Sequence, residues 1–378
     1  MHREGIINLA AGPSALPQPV LEEAAKGLLN YEGTGMGITE LSHRSPEFSK
    51  LTNDLEDILR KHLKIPLSHR VLFTQGGGSL QFSSVVMNLL ARHRRLYPNL
   101  REEDRVMDYI ITGNWSFKAK EEAKKLAGPC PVHVVFDGRE HSPNKEFHGI
   151  TSTDNWRFSH NPAFVYYCEN ETVDGVQFDG HLSEDGISKD RISFPFDALP
   201  QDPSSPSNPV PIVGDYSSSF FSRPIPRIED HAVVYGGAQK NVGPSGLTIL
   251  IVRQDLLQPR PLNTLYPIPT TLEYATLSKA NSLYNTPPMF SMYVALLVTR
   301  HFEGKGGLPA LAAVSKIKAG KLYNTLEAGE KEGIFKLRVK DGSRSHMNVT
   351  FEVVGDGNEA KFLKEATERG LRGVKGHR

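Results

Sequence analysis

Short apolar runs alternate along this chain with longer stretches of helical spacing. The runs at 71–74, 107–112, 132–136, 163–168, 212–214, 232–235 and 247–252 are bounded by turn-forming or polar residues and read as seven strands. Between them, apolar positions three and four apart predict helices over 19–30, 46–59, 80–91 and 115–126. Ser45-Pro46 supplies a helix-start signal for the second of these. Such α/β alternation predicts a mainly parallel seven-stranded sheet with helices on both faces. A proline-studded stretch, 259–270, reads as a domain boundary. Beyond it, helices at 291–302, 308–329 and 358–370 and strands at 335–339 and 348–353 predict a smaller α+β domain. Residues 6–11 read as a short extended segment, 31–38 as a glycine-rich loop, 92–105 as a polar excursion, and 201–211 as a mobile Pro/Ser-rich loop. The domain reading is an N-terminal segment, 1–16, packing with the small domain, a large domain, 17–270, and a small C-terminal domain, 271–378.

Composition narrows the class. The formal net charge of +1 gives no general field for nucleic acid or anionic membrane. Two cysteines are too few for a disulfide framework, and no apolar run has membrane-spanning length. The expectation is a soluble cytoplasmic protein without a signal peptide, a nucleic-acid partner or a metal site.

The stretch 231–248, HAVVYGGAQKNVGPSGLT, reads as strand, tight turn, strand, with Lys240 among small residues. A lysine there loses solvation of its charged form, so its pKa falls and its amine becomes a usable nucleophile toward an aldehyde cofactor such as pyridoxal phosphate. The alternative is a lysine snorkelling from a hairpin end, favoured on this segment alone. TQGGGS, 74–79, follows a strand and opens a helix, so its glycines and free N–H groups suit an anion, most naturally phosphate, or form a plain turn. Asp215 ends a strand, where α/β ligands bind, and either caps a turn or holds a protonated ring nitrogen. Trp115 is a core residue or a stacking platform for a flat ring. Thr172 is a turn residue or a hydroxyl partner to such a ring. His43-Arg44, the neutral donors Asn285-Thr286, and His377-Arg378 are each surface polar residues or anion ligands.

Taken together, GTGMGITELSHRS, FTQGGGS, YYCENETVDGVQFD, GDYSSSFFSRPI, YGGAQKNVGPSGLTI, LYNTPPMF, SRSHMNVTF and GLRGVKGHR resemble the phosphoserine aminotransferase family along the whole chain. These are class-V pyridoxal phosphate enzymes of fold type I. The resemblance implies transfer of the amino group of glutamate to 3-phosphohydroxypyruvate in serine biosynthesis, by a ping-pong route in a homodimer with shared sites. It implies that Lys240 forms the Schiff base and moves the proton, and that Asp215 pairs with the pyridinium nitrogen. It further implies that Trp115 stacks on the ring, Thr172 meets the phenolic oxygen, and Gly78, Ser79 and Gln239 bind the cofactor phosphate. Asn285 and Thr286 would reach that phosphate from the other subunit. His43, Arg44, His377 and Arg378 would bind the substrate phosphate or the glutamate side-chain carboxylate.

Two departures stand out. Leu80 occupies a position where the family commonly has glycine, so it either narrows the phosphate cradle or packs inside the helix. The sequence given stops at KGHR, where the family continues with a glycine-rich turn, a carboxylate-clamping arginine and a helix. A protein lacking that tail is expected to bind the cofactor yet transaminate poorly. The alternatives are another class-V enzyme, such as a serine–glyoxylate aminotransferase or a cysteine desulfurase, and a cofactor-binding relic. Neither Cys130, before a proline, nor Cys168, at a strand end, suits a desulfurase.

Overall fold

The computed structural model describes residues 3–181, 191–200, 209–258 and 266–376. Most of the predicted loop at 201–211, the first part of the 259–270 boundary, and both His377 and Arg378 lie outside the described residues. In chain order the elements are β1 (Ile7–Asn8), α1 (Gln18–Leu29), α2 (Pro46–Leu63), β2 (His69–Thr74), α3 (Gly77–Leu96), β3 (Met107–Ile111), α4 (Asn114–Leu126) and β4 (Val132–Asp137). There follow β5 (Phe164–Cys168), β6 (Val176–His181), β7 (Ile212–Asp215), β8 (His231–Gly237), β9 (Thr248–Arg253) and α5 (Tyr274–Lys279). The last are α6 (Met289–Glu303), α7 (Gly307–Lys331), β10 (Phe335–Leu337), β11 (Phe351–Val353), α8 (Asn358–Glu368) and β12 (Leu371–Arg372).

The expected seven-stranded sheet forms, in the order β2-β9-β8-β7-β5-β3-β4. Only β9 runs against its neighbours; the remaining pairs are parallel. The central strands β3, β5, β7 and β8 are buried at every residue, which is why, Asp108 of β3 apart, their interiors read as apolar runs. Because successive strand residues point to opposite faces, Ile110, Val165, Val234, Ile249 and Ile251 enter one core layer. Tyr109, Phe164, Tyr166, Val233, Tyr235 and Leu250 enter the other. Helices α1, α2 and α6 cover the first layer and α3, α4 and α5 the second.

Three elements, β6, α5 and β12, escaped the sequence reading, whereas β1 falls in the extended segment read at 6–11. β1 pairs in parallel with β12 through Ile7–Leu371 and Asn8–Arg372, and two-residue strands have no period to detect. β6 and the six-residue helix α5 are likewise too short or too mixed to carry one. The polar excursion is corrected in its first part. Helix α3 runs to Leu96, and its charged last turn is held internally, with Arg92 Nε 2.7 Å from Asp255 Oδ2 and Arg94 bonded to both Glu102 carboxylate oxygens. Among the described residues, no helix is long and apolar enough to cross a membrane.

Helix α2 begins as its sequence dictates. The Ser45 hydroxyl accepts the Phe48 N–H at 3.2 Å, Pro46 takes the first turn, and Phe48, Leu51, Leu55, Leu59 and Leu63 form one buried stripe. Replacing Ser45 by Ala leaves that N–H without its cap and should cost about 1 kcal/mol, read as a lower urea midpoint at unchanged slope.

Candidate active site

Strands β3, β5, β7 and β8 are parallel, and β2, two antiparallel steps from β8, runs the same way. All five therefore end at one edge of the sheet. Just past those ends lie the predicted cofactor residues: Gly78 and Ser79 after β2, Trp115 after β3, Thr172 after β5, Asp215 closing β7, and Gln239 and Lys240 after β8. This is the edge where open α/β sheets bind ligands.

Asp215 is 4 % exposed. Its Oδ1 accepts the Ser217 N–H at 2.9 Å, and its Oδ2 faces the hydroxyls of Tyr235 at 3.1 Å and Tyr166 at 3.4 Å. The two tyrosine oxygens are 3.0 Å apart. Burial raises the Asp215 pKa, and the donors from Ser217, Tyr235 and Tyr166 oppose the rise. Lys240 is half-buried, and desolvation lowers its pKa while the Asp215 carboxylate pulls it back up. Gly76 caps α3 at φ 89°, and a Cβ on Gly78 would stand 3.0 Å from Ser217 Oγ and 3.9 Å from Asp215 Oδ2.

Trp115 and Thr172 are brought together by carboxylates that the sequence reading missed. Glu171, wholly buried, accepts the backbone N–H groups of Trp115 at 2.8 Å and Ser116 at 2.9 Å, while Asp174 accepts that of Asn114 at 2.7 Å. Two acids thus cap α4 and fix the entry of Trp115 against the loop that carries Thr172. Burial first, then Asp174, pushes the Glu171 pKa up to about 8. Asn170, also missed, is a hub. Its Nδ2 bonds Ser218 Oγ at 2.6 Å and Asn348 Oδ1 at 2.8 Å, and its Oδ1 accepts Ser345 Oγ at 2.5 Å. Asn241, beside Lys240, donates to the Ser218 carbonyl at 3.1 Å. The available signal was a polar run, Glu169–Thr172, directly after a strand buried throughout, because buried polar groups must find partners.

His43 and Thr286 meet within this chain, with Nδ1 and Oγ1 3.3 Å apart, and Gln75 Nε2 donates to the Thr286 carbonyl at 3.2 Å. Arg44, Asn285 and Thr286 are exposed. His43, Thr286 and Gln75 thus form a second group, with Arg44 and Asn285 next to them in sequence; His377 and Arg378 lie outside the described residues.

The Lys240 shift has a measurable sign. The unfolded lysine keeps its proton up to its ordinary pKa of 10.5, whereas the folded one releases it earlier. In between, unfolding takes up a proton, so stability rises with pH. In cofactor-free protein, raising the pH from about 7 to about 10 should stabilise the native chain relative to Lys240→Met, as measured by paired urea titrations. Parallel pH curves for the two chains would contradict the shift.

A sequence model of the Aminotransferase class-V family matches residues 6–184 and 208–378. The phosphoserine aminotransferase of Geobacillus kaustophilus (strain HTA426) is 39% identical over 371 residues, covering 98% of this chain and 89% of that protein. The solved phosphoserine aminotransferase of Bacillus circulans subsp. alkalophilus superposes with a TM-score of 0.81 at 34% identity, covering 98% of this chain and 89% of that one. The PLP-bound phosphoserine aminotransferase of Trichomonas vaginalis does so with a TM-score of 0.80 at 33% identity, covering 98% and 92%. With the lysine, the buried aspartate and the glycine turn gathered at one sheet edge, this chain belongs to the class-V aminotransferases, in the phosphoserine aminotransferase family.

Proposed function

We infer that this chain is a phosphoserine aminotransferase, moving the amino group of L-glutamate to 3-phosphohydroxypyruvate to give O-phospho-L-serine and 2-oxoglutarate, with pyridoxal 5′-phosphate as cofactor. The observation that supports this most is the buried Asp215 sharing a site with a half-buried lysine of lowered pKa. The residues fit the cofactor. Asp215 has no cationic hydrogen-bond partner among the described residues, and a cationic ring nitrogen is what it lacks. Gly78 keeps the helix N-terminus open where a Cβ would crowd Ser217.

When bound, pyridoxal phosphate supplies the electron sink and carries the amino group between substrates. Asp215 would hold its ring nitrogen, Trp115 its ring face and Thr172 its phenolic oxygen. Gly78, Ser79 and Gln239 would hold its phosphate, with Asn285 and Thr286 of the partner subunit. The Lys240 Nζ, with its pKa lowered, takes the proton from the glutamate Cα and delivers one to the product Cα in the second half. Asp215 keeps a fixed charge beside that exchange, and the Tyr235 and Ser217 donors hold its carboxylate in place. His43, Arg44, His377 and Arg378 would bind phosphate or carboxylate at the distal end of either substrate, because both anions accept from the same donors. A desulfurase is disfavoured, since burial pushes the Cys130 pKa up to about 11 and the Cys168 pKa well above its ordinary value.

The reading carries a homodimer with shared sites, a cytoplasmic location, and the division at residues 16/17 and 270/271. In its support, Leu29, Met36 and Tyr284 are exposed apolar residues in or next to the segments carrying His43 and Asn285.

Lys240→Ala should lower turnover by at least ~10²–10⁴-fold, the range of general acid–base catalysis, and should not convert the bound cofactor to its pyridoxamine form on mixing with glutamate. A Lys240→Ala variant that turns over normally would overturn the assignment. Mixing refolded Lys240→Ala subunits with Asn285→Ala/Thr286→Ala subunits should restore about a quarter of native activity, since a symmetric dimer of the two carries one intact site. No gain on mixing would argue that the sites are not shared.

A further inference from the structure

We infer that Gly12 is a positioning residue for Lys240: the space left by its absent side chain is the slot in which the lysine's aliphatic chain lies. A Cβ built on Gly12 would stand 2.5 Å from Lys240 Cδ and 2.9 Å from both Cε and Nζ. Those three atoms are its nearest neighbours, and all belong to one side chain. The slot is specific to glycine for a second reason, since φ at Gly12 is +146°.

The segment carrying Gly12 is clasped to the backbone on either side of the lysine's attachment point. The Ser14 N–H donates to the Gln239 carbonyl at 3.0 Å, and the Ser14 hydroxyl donates to the Lys240 carbonyl. The turn after β8 is thus gripped at its main chain by Ser14 and at its side chain by Gly12. The clasp is anchored from behind. The Ile7 N–H donates to the Gly370 carbonyl at 3.0 Å and the Leu9 N–H to the Arg372 carbonyl at 2.9 Å, while a Cβ on Gly373 would stand 2.4 Å from the Ala10 nitrogen. Two stretches at opposite ends of the described chain therefore hold the residue that does the chemistry.

A lysine amine on four rotatable bonds samples many positions, and confining the aliphatic chain selects the one from which Nζ reaches the reacting carbon. Asp215 and Cys168 are the ionisable groups that act on Nζ from the sheet side, and Gly12 closes the opposite approach. Gly12 itself touches neither substrate nor cofactor in this account. The inference rests on Lys240 being the reacting amine, but its test does not.

The test is a double-mutant cycle on the full chain, combining Gly12→Ala with Lys240→Ala and read by urea unfolding. The backbone strain of alanine at φ +146° is common to both backgrounds and cancels. The clash with the lysine chain exists in one background only. Gly12→Ala should therefore shift the unfolding equilibrium roughly tenfold more with Lys240 present than with alanine there, a size usual for contacting pairs. Equal shifts in the two backgrounds would overturn the proposal and reduce Gly12 to a turn glycine. A second readout keeps the question open to test if Gly12→Ala folds poorly. In cofactor-free Gly12→Ser protein, the pH midpoint for acylation of Lys240, followed by peptide mass, should rise toward that of surface lysines while lysines on α7 stay unchanged. An unmoved Lys240 midpoint would likewise overturn it. Loss of turnover in Lys240→Ala speaks to the proposed function and is independent of either readout.

Discussion

A carboxylate buried at the end of a central strand is the constraint on which this structure depends. Asp215 is met by one backbone N–H, from Ser217, and by two tyrosine hydroxyls, none of them charged. Removing a carboxylate from water costs several kcal/mol unless it is matched. Lys240 matches it only in part. Its own burial favours the neutral amine, Asp215 favours the cation, and among the described residues no hydrogen bond joins them. The two groups keep each other poised, and Asp215 is left without a charged hydrogen-bond partner among the described residues, as the proposed cationic ring nitrogen requires. An ordinary salt bridge would have satisfied Asp215 and tied up the amine.

The fold was legible because burial on both faces wrote β3, β5, β7 and β8 as largely apolar runs, with Asp108 the one interior charge. From their parallel order the shared edge follows, and with it the neighbourhood of Gly78, Trp115, Thr172, Asp215 and Lys240. What could not be read is long-range polar pairing. Nothing in ENET says that Glu171 caps a helix begun 57 residues earlier, or that Asn170 ties the sheet edge to Ser345 and Asn348. Those bonds depend on three-dimensional proximity and leave no period in the sequence. The β1–β12 pair was hidden for the same reason, and it is the anchor of the Gly12 clasp.

The residues proposed to bind anions were legible as chemical types and illegible as an arrangement. His43 and Thr286, 243 positions apart, come within 3.3 Å because α2 and α6 pack on the same face of the sheet. That contact orients one His43 nitrogen, while its other ring nitrogen, Nε2, is buried without a hydrogen-bond partner among the described residues. A buried imidazole nitrogen lacking a partner is out of balance in the isolated chain. An anion, or a donor from a second subunit, would restore the balance, and the exposed Arg44 beside it suits the first.

Leu80 shows how a departure in sequence can be absorbed without moving the site. Its bulk leaves two possibilities: intrusion into the space over the glycine turn or packing within the turn. The side chain takes the second course. A Cβ on Gly76 would stand 2.4 Å from Leu80 Cδ2 and 2.6 Å from Leu80 Cβ, so the leucine folds back beneath the first glycine of the triplet. The three residues nearest to a Cβ on Gly78 are instead Ser217, Tyr235 and Asp215, and Leu80 is not among them. The two glycines therefore divide the work. Gly76 yields its space to Leu80 at the start of α3, and Gly78 leaves open the space bordered by Ser217, Tyr235 and Asp215. A leucine at position 80 is compatible with an open cradle as long as position 76 remains glycine, which makes the pair one packing unit.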